Sequence, residues 1–216
     1  MNLFIVGDVH GCYYTFLEVL QHWKPTEELL LQVGDLVDRG RYAPETVQVA
    51  LELSEKHPDR TVFLRGNHEA GLLRHYGPTG PYPSWLSWGG LSTEQQYRQH
   101  RDWLAPHLDW LAERPLFWEN EHVLVSHAGL ADTPNPMDED NPDGILWRRG
   151  PLRNVGKLQI IGHTPTTGTP EFDAATNVLN IDTGACYGRG LSAVRISAAG
   201  QLLDTIFVST HQADVG

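Results

Sequence analysis

Apolar residues alternate between two rhythms in the first third of the chain. Short continuous runs fall at residues 3–6, 29–33 and 61–64. Each is shorter than a helix and is followed at once by glycine or polar residues, the pattern of buried strands. Between them, residues 13–23 set Phe16, Leu17, Val19, Leu20 and Trp23 at helical spacing. Residues 44–56 do the same with Val47, Ala50 and Leu51 behind an early proline. Strand, helix, strand, helix, strand at short intervals predicts a βαβ sheet covered by helices.

The rhythm changes over residues 70–121. A proline- and glycine-rich stretch, GPTGPYPSW, runs from Gly77 to Trp85, and residues 93–112 have helical spacing with scattered aromatics. This part is expected to be a small helical cap inserted into one domain spanning 1–216. Apolar runs return at 122–125, 158–161, 178–181, 191–196 and 202–208. The last of these, separated by glycine turns, predict a meander forming a second sheet. The tail, HQADVG, is expected to fray.

Composition narrows the class. The chain has 216 residues, 40% hydrophobic and 20% charged, enough for a sizeable core in one soluble domain. No apolar run approaches the ~20 residues of a membrane span, and the run at 3–6 is too short for a signal peptide. Only Cys12 and Cys186 are present, so a reducing cytoplasm is the expected compartment. A net charge of -11 argues against a nucleic-acid polymer as partner. It still permits an anion, where metal ions and a few arginines make one pocket positive.

The chemistry sits just past the strands. Asp8 and His10 follow the first run; Asp35, Asp38 and Arg39 the second; Arg65, Asn67 and His68 the third. His127 and His163 follow two of the later runs. Strand ends of α/β sheets converge on one crevice, so carboxylates, an amide and imidazoles should meet there. Such oxygen and nitrogen donors without thiolates suit manganese, iron, zinc or similar ions, in a number exceeding one tetrahedral site. One carboxylate must then be shared, and Asp35, on the middle strand of the first three, is the natural bridge. Two ions about 3.5–4 Å apart can share a hydroxide and clamp a phosphoryl group.

The motifs GDVHG at Gly7, GDLVDRG at Gly34, GNHE at Gly66, SHAGL at Ser126 and GHT at Gly162 together resemble the calcineurin-like metallophosphoesterases. Within them the resemblance is to the phosphoprotein phosphatases, including bacterial serine/threonine phosphatases and symmetrical diadenosine tetraphosphate hydrolases. It covers the chain from Gly7 to about Ile196 and is weakest in the cap. It implies an α/β fold: a β-sandwich of mixed sheets flanked by helices, with a small helical cap. It implies that Asp8, His10 and Asp35 hold a first ion, and that Asp35, Asn67, His127 and His163 hold a second. Manganese is the first expectation, with iron, zinc, nickel or cobalt as alternatives. His68 becomes the general acid, oriented by Asp38; Arg39 and Arg65 bind phosphate oxygens. The stretch LWRRG offers Arg149 at the family's W-x-R spacing, with Arg148 as a nearby competitor.

The expected reaction is attack of a metal-bridging hydroxide on a phosphomonoester, foremost phosphoserine or phosphothreonine in proteins. Symmetrical hydrolysis of diadenosine tetraphosphate is the second reading, because the aromatic cap could stack adenines. A non-catalytic metal-bound scaffold is the third; it is disfavoured because the expected ligands, the acid and its aspartate are all present. The expected partner is thus a phosphorylated protein or a small phosphate-containing substrate, with no membrane. Simpler readings cover the rest: Trp85, Trp88, Tyr97, Trp103 and Trp110 as cap packing, and His22, His57, His75, His100, His107, His122 and His211 as surface or helix-face positions. Glu69 is left as a hydrogen-bond partner behind the ligands.

Overall fold

The structure, a computed structural model, describes residues 1–215. Strands β1 (Asn2–Val6), β2 (Glu28–Gln32) and β3 (Thr61–Phe63) run parallel, joined through α1 (Tyr13–Leu20) and α2 (Ala43–Lys56). Their side chains are buried on both faces, so the sequence reads as unbroken apolar runs and not as alternation. Phe4, Val6 and Leu30 pack toward the helices, against Phe16, Val19, Val47 and Ala50. Leu3, Ile5, Leu29 and Leu31 point the other way, onto a second sheet.

Between β3 and that sheet lie α3 (Asn67–Tyr76), α4 (Pro83–Trp85), a π turn (Leu86–Gly90), α5 (Leu91–Tyr97) and α6 (Arg101–Ala112). The second sheet contains β4 (Phe117–Glu119), β5 (Val123–Ser126), β6 (Leu158–Ile161), β7 (Glu171–Asp173) and β8 (Val178–Asn180), in the order β4-β5-β6-β8-β7. Strands β5, β6 and β8 run parallel. Val123, Val125, Ile160 and Leu179 meet the first sheet face to face. Each such fully buried side chain contributes roughly 1.5–3 kcal/mol, and this shared layer locks the two sets of strand ends at one rim.

The remaining strands depart from expectation. Strands β9 (Leu191–Ile196) and β10 (Leu202–Val208) return to the first sheet, giving the order β10-β9-β1-β2-β3, and form no second sheet of their own. Strand β9 pairs antiparallel with β1, Leu3 opposite Ile196 and Ile5 opposite Val194. An uncovered β1 would leave a row of backbone groups unpaired, while Val194 and Ile196 complete the layer between the sheets. Strand β4 belongs to the second sheet although it lies in the stretch expected to be cap. The stretch expected to be one helix at 93–112 is two, broken where His100 leaves helical geometry and comes 3.2 Å from Glu45.

The tail over residues 211–215 is docked, not frayed, and Gly216 lies outside the described residues. Helix α1 has no side-chain cap of its own from Cys12. Asp214 serves instead, accepting from the Tyr14 amide at 3.0 Å, the Thr15 amide at 2.9 Å and the Thr15 hydroxyl at 2.6 Å. A carboxylate at a helix N-terminus satisfies orphan amides and the helix dipole together. No helix among the described residues is long and apolar enough to cross a membrane.

Candidate active site

Five site residues have left-handed backbone: His10 (φ 48°), Asp35 (61°), Asp38 (73°), Arg39 (67°) and His163 (70°). This is strained for non-glycine residues and persists only where the surroundings over-determine it. Each lies just past a strand, where the chain must turn sharply to aim its side chain back over the rim. Two glycines make room. A Cβ on Gly66 would strike the Asp35 carboxylate, and one on Gly162 would strike that of Asp8.

Asp35 is the centre. Its Oδ2 lies 3.4 Å from His10 Nε2 on one side and 3.4 Å from His127 Nε2 on the other. Donor atoms of His10, Asp35 and His68 lie within 4.8 Å of one another, as do those of Asp35, His127 and His163. Asn67 Oδ1 sits 2.8 Å from His127 Nε2 and 2.9 Å from His163 Nδ1. The structure thus brings Asp8, His10, Asp35, Asn67, His68, His127 and His163 to one rim.

Their protonation fits a cation site. His10 Nδ1 donates to the Val37 carbonyl at 2.8 Å, His127 Nδ1 to the Val33 carbonyl at 3.1 Å, and His163 Nε2 lies 3.3 Å from the Trp147 carbonyl. With those protons committed, His10 Nε2 meets the Arg39 guanidinium at 2.8 Å, whereas His127 Nε2 and His163 Nδ1 turn lone pairs toward Asp35 Oδ2 and Asn67 Oδ1, so acceptor faces acceptor. Asp8 Oδ1 and Asp182 Oδ2 are buried with no partner among the described residues. Burial, with the Asp182 and Asp35 charges, pushes the Asp8 carboxyl well up. So dense a set of buried acceptors is stable only with cations among them. The residues present therefore fit divalent ions.

The acid candidate is built separately. His68 Nδ1 hydrogen-bonds Asp38 Oδ2 at 2.6 Å, and its Nε2 lies 3.0 Å from Arg39 Nη2. Burial pulls this imidazole down, but the Asp35 charge and the Asp38 hydrogen bond outweigh it, and the net shift is upward. Glu69 is resolved: its buried carboxylate accepts from the amides of Gly66, Asp35, Leu36 and Val37 at 2.7–3.1 Å. It staples the turn after β2 to the start of α3.

The arginines separate. Arg39 and Arg149 line a cavity of about 290 Å³ with Asn67, His68, Trp88, Trp147 and His163. Arg148 is engaged elsewhere, 2.5 Å from Asp143 and donating to the Pro151 carbonyl. Arg65 pairs with Glu139 at 2.8 Å and lines a neighbouring cavity of about 710 Å³ with Arg74, Tyr82 and Trp147.

Residues 1–206 match the calcineurin-like phosphoesterases. The chain belongs to that family. It is therefore a metal-dependent phosphoric ester hydrolase, and the family implies divalent ions at this site. The chain is 30% identical to the asymmetrical bis(5'-nucleosyl)-tetraphosphatase PrpE of a Geobacillus species, over 90% of either chain. It is equally 30% identical to serine/threonine-protein phosphatase 1 of Salmonella typhimurium, over 90% of this chain and 92% of the relative. In three dimensions it resembles a protein serine/threonine phosphatase from Saccharomyces cerevisiae, with a TM-score of 0.65 at 20% identity, covering 97% of this chain and 79% of that one.

Three neighbours of the phosphoesterase site escaped sequence reasoning. Asp182 follows β8 by two residues as Asp-Thr-Gly, the same strand-then-aspartate signal as the other turns at the rim, and burial with the Asp35 charge pushes its carboxyl up to about 6. Trp85 and Thr93 lie far from any motif, and both hydrogen-bond Asp38. No sequence signal marks that pair.

Proposed function

We propose that this phosphoesterase hydrolyses phosphomonoesters, foremost phosphoserine and phosphothreonine in proteins. The observation that carries the reading is the His68–Asp38 pair beside a small cavity with Arg39 and Arg149. A serine or threonine alkoxide is a poor leaving group and needs a positioned acid. A nucleotide leaving from a polyphosphate needs one far less. The cavity of about 290 Å³ suits a phosphorylated side chain.

Asp8, His10 and Asp35 would hold one divalent ion, and Asp35, Asn67, His127 and His163 a second, with manganese the first candidate. When bound, such ions supply Lewis-acid polarisation of phosphoryl oxygens and water activated at neutral pH. Arg39 and Arg149 hold the phosphoryl oxygens and neutralise charge that grows in the transition state. His68 passes its Nε2 proton to the departing oxygen, while Asp38 holds the ring through Nδ1. Arg65 joins them only if Glu139 releases it.

A second reading rests on a specific observation. Tyr82 and Trp147 border the larger cavity beside the site, surfaces on which an adenine could stack, and one relative is named as a dinucleoside tetraphosphatase. The test is a paired assay on metal-stripped protein reconstituted with Mn²⁺, comparing kcat/KM for a phosphoserine peptide and for diadenosine tetraphosphate. Preference for the peptide supports the first reading. Preference for the dinucleotide overturns it in favour of the second.

A further inference from the structure

Asp38 makes more contacts than a simple histidine partner requires. Its carboxylate is fully buried and its backbone is left-handed, with φ of 73°. Oδ2 accepts from His68 Nδ1 at 2.6 Å and from Trp85 Nε1 at 2.8 Å; Oδ1 accepts from the Thr93 hydroxyl at 2.6 Å. Trp85 and Thr93 are themselves fully buried. Both come from the helical segment after the GNHE motif, one from the end of α4 and one from α5.

The Trp85 indole is clamped. A Cβ on Gly71 would lie 2.6 Å from Trp85 Cδ1, and one on Gly90 would strike the other side of the ring system. The two glycines therefore let α3 and the π turn close directly on the indole, fixing the direction of its N–H. A carboxylate gripped by three donors across both oxygens has no freedom to rotate. A fixed carboxylate holds the partner ring through its Nδ1 in one orientation.

We infer that Trp85 and Thr93 are positioning residues for protonation of the leaving group, acting through Asp38 on His68. The helical segment is then part of the acid's machinery as well as a cover over the rim. The inference rests on His68 being the acid, so the test must separate the two ideas.

The experiment uses manganese-reconstituted protein and two substrates. A phosphoserine peptide leaves as an alkoxide and needs the acid; para-nitrophenyl phosphate leaves without help. Trp85→Phe keeps the ring and removes the N–H, and Thr93→Val keeps the shape and removes the hydroxyl. Each should lower kcat on the peptide by about tenfold, with KM unchanged, and alter turnover of para-nitrophenyl phosphate by less than about threefold. His68→Asn, the reference, should show the same selectivity at ~10²-fold. In the His68→Asn background, Trp85→Phe and Thr93→Val should add nothing, and Thr93→Ser should retain the wild-type ratio. Metal content and Tm, measured alongside, should stay close to the parent's.

Equal losses on both substrates would make Trp85 and Thr93 structural and overturn the inference, as would no loss on either. Selectivity in His68→Asn but not in the other two would overturn the inference and leave the acid assignment standing. Absence of selectivity in His68→Asn itself would overturn both.

Discussion

The strand-end turns, with Asn67, and the helical segment over residues 68–112 treat buried polar groups in opposite ways. At the turns, Asp8 Oδ1 and Asp182 Oδ2 have no partner among the described residues, and imidazole lone pairs face Asn67 Oδ1 and Asp35 Oδ2. In the helical segment the buried polar side chains are paired. His68, Trp85 and Thr93 converge on Asp38, and Tyr97 meets His107 at 2.9 Å. The turns have the donor chemistry to take cations. The helices are complete already, and hold His68 still through Asp38.

That contrast can be broken most severely at its hinge. Asp35→Asn removes the one carboxylate lying between the two donor sets. Activity should fall by at least ~10³-fold, and metal analysis should find no stable pair of ions. Near-normal metal content would mean that the sets do not depend on Asp35.

The arginines sharpen it next. Arg149→Ala should reduce kcat/KM for a phosphopeptide by roughly 10–100-fold and weaken inhibition by inorganic phosphate. Arg65→Ala, with its guanidinium already paired to Glu139, should change both by less than about threefold. A loss at Arg65 as large as that at Arg149 would show that the Glu139 pair opens during turnover.

A smaller effect tests whether stability outside the site is separable from its chemistry. Asp214→Ala uncaps α1 and should cost roughly 1–2 kcal/mol, or about 3–6 °C in Tm, with kcat unchanged. A fall in kcat would tie the tail to the rim.

The smallest concerns pH. His107, bonded to Tyr97 and to Gln48 at 2.9 Å, is pushed down to about 4 by burial and the nearby His100. Because its folded pKa lies below the unfolded value of about 6.5, the unfolded chain binds its proton first as pH falls. The neutral ring's contribution is then complete above about pH 6.5 and is lost between there and about pH 4. His107→Gln should narrow the Tm difference between pH 7 and pH 5; an unchanged difference would place the titrating groups elsewhere.

Legibility follows the same divide. The turns that carry the candidate ligands were readable because each donor follows a strand by a few residues, beside a glycine that the turn needs; Asp182 carries the same signal after β8. The first three strands and two helices were readable from their periodicity, although helix α1 ends at Leu20 and Trp23, beyond it, donates to the Glu28 carbonyl at 3.3 Å. The short strand β7 was not, its side chains being exposed on an edge without an apolar run. Trp85 reads as core, and is core; only the hydrogen bond on its indole links it to Asp38.

By itself, then, the sequence determined the donor types past each strand, their order and the family, because those depend on residues close together in the chain. Tertiary structure decided which arginine faces the cavity, which sheet takes β9 and β10, what caps α1 and what steadies Asp38. Each of these depends on two segments far apart in the chain meeting at hydrogen-bond distance, and no local pattern of residues encodes such a meeting.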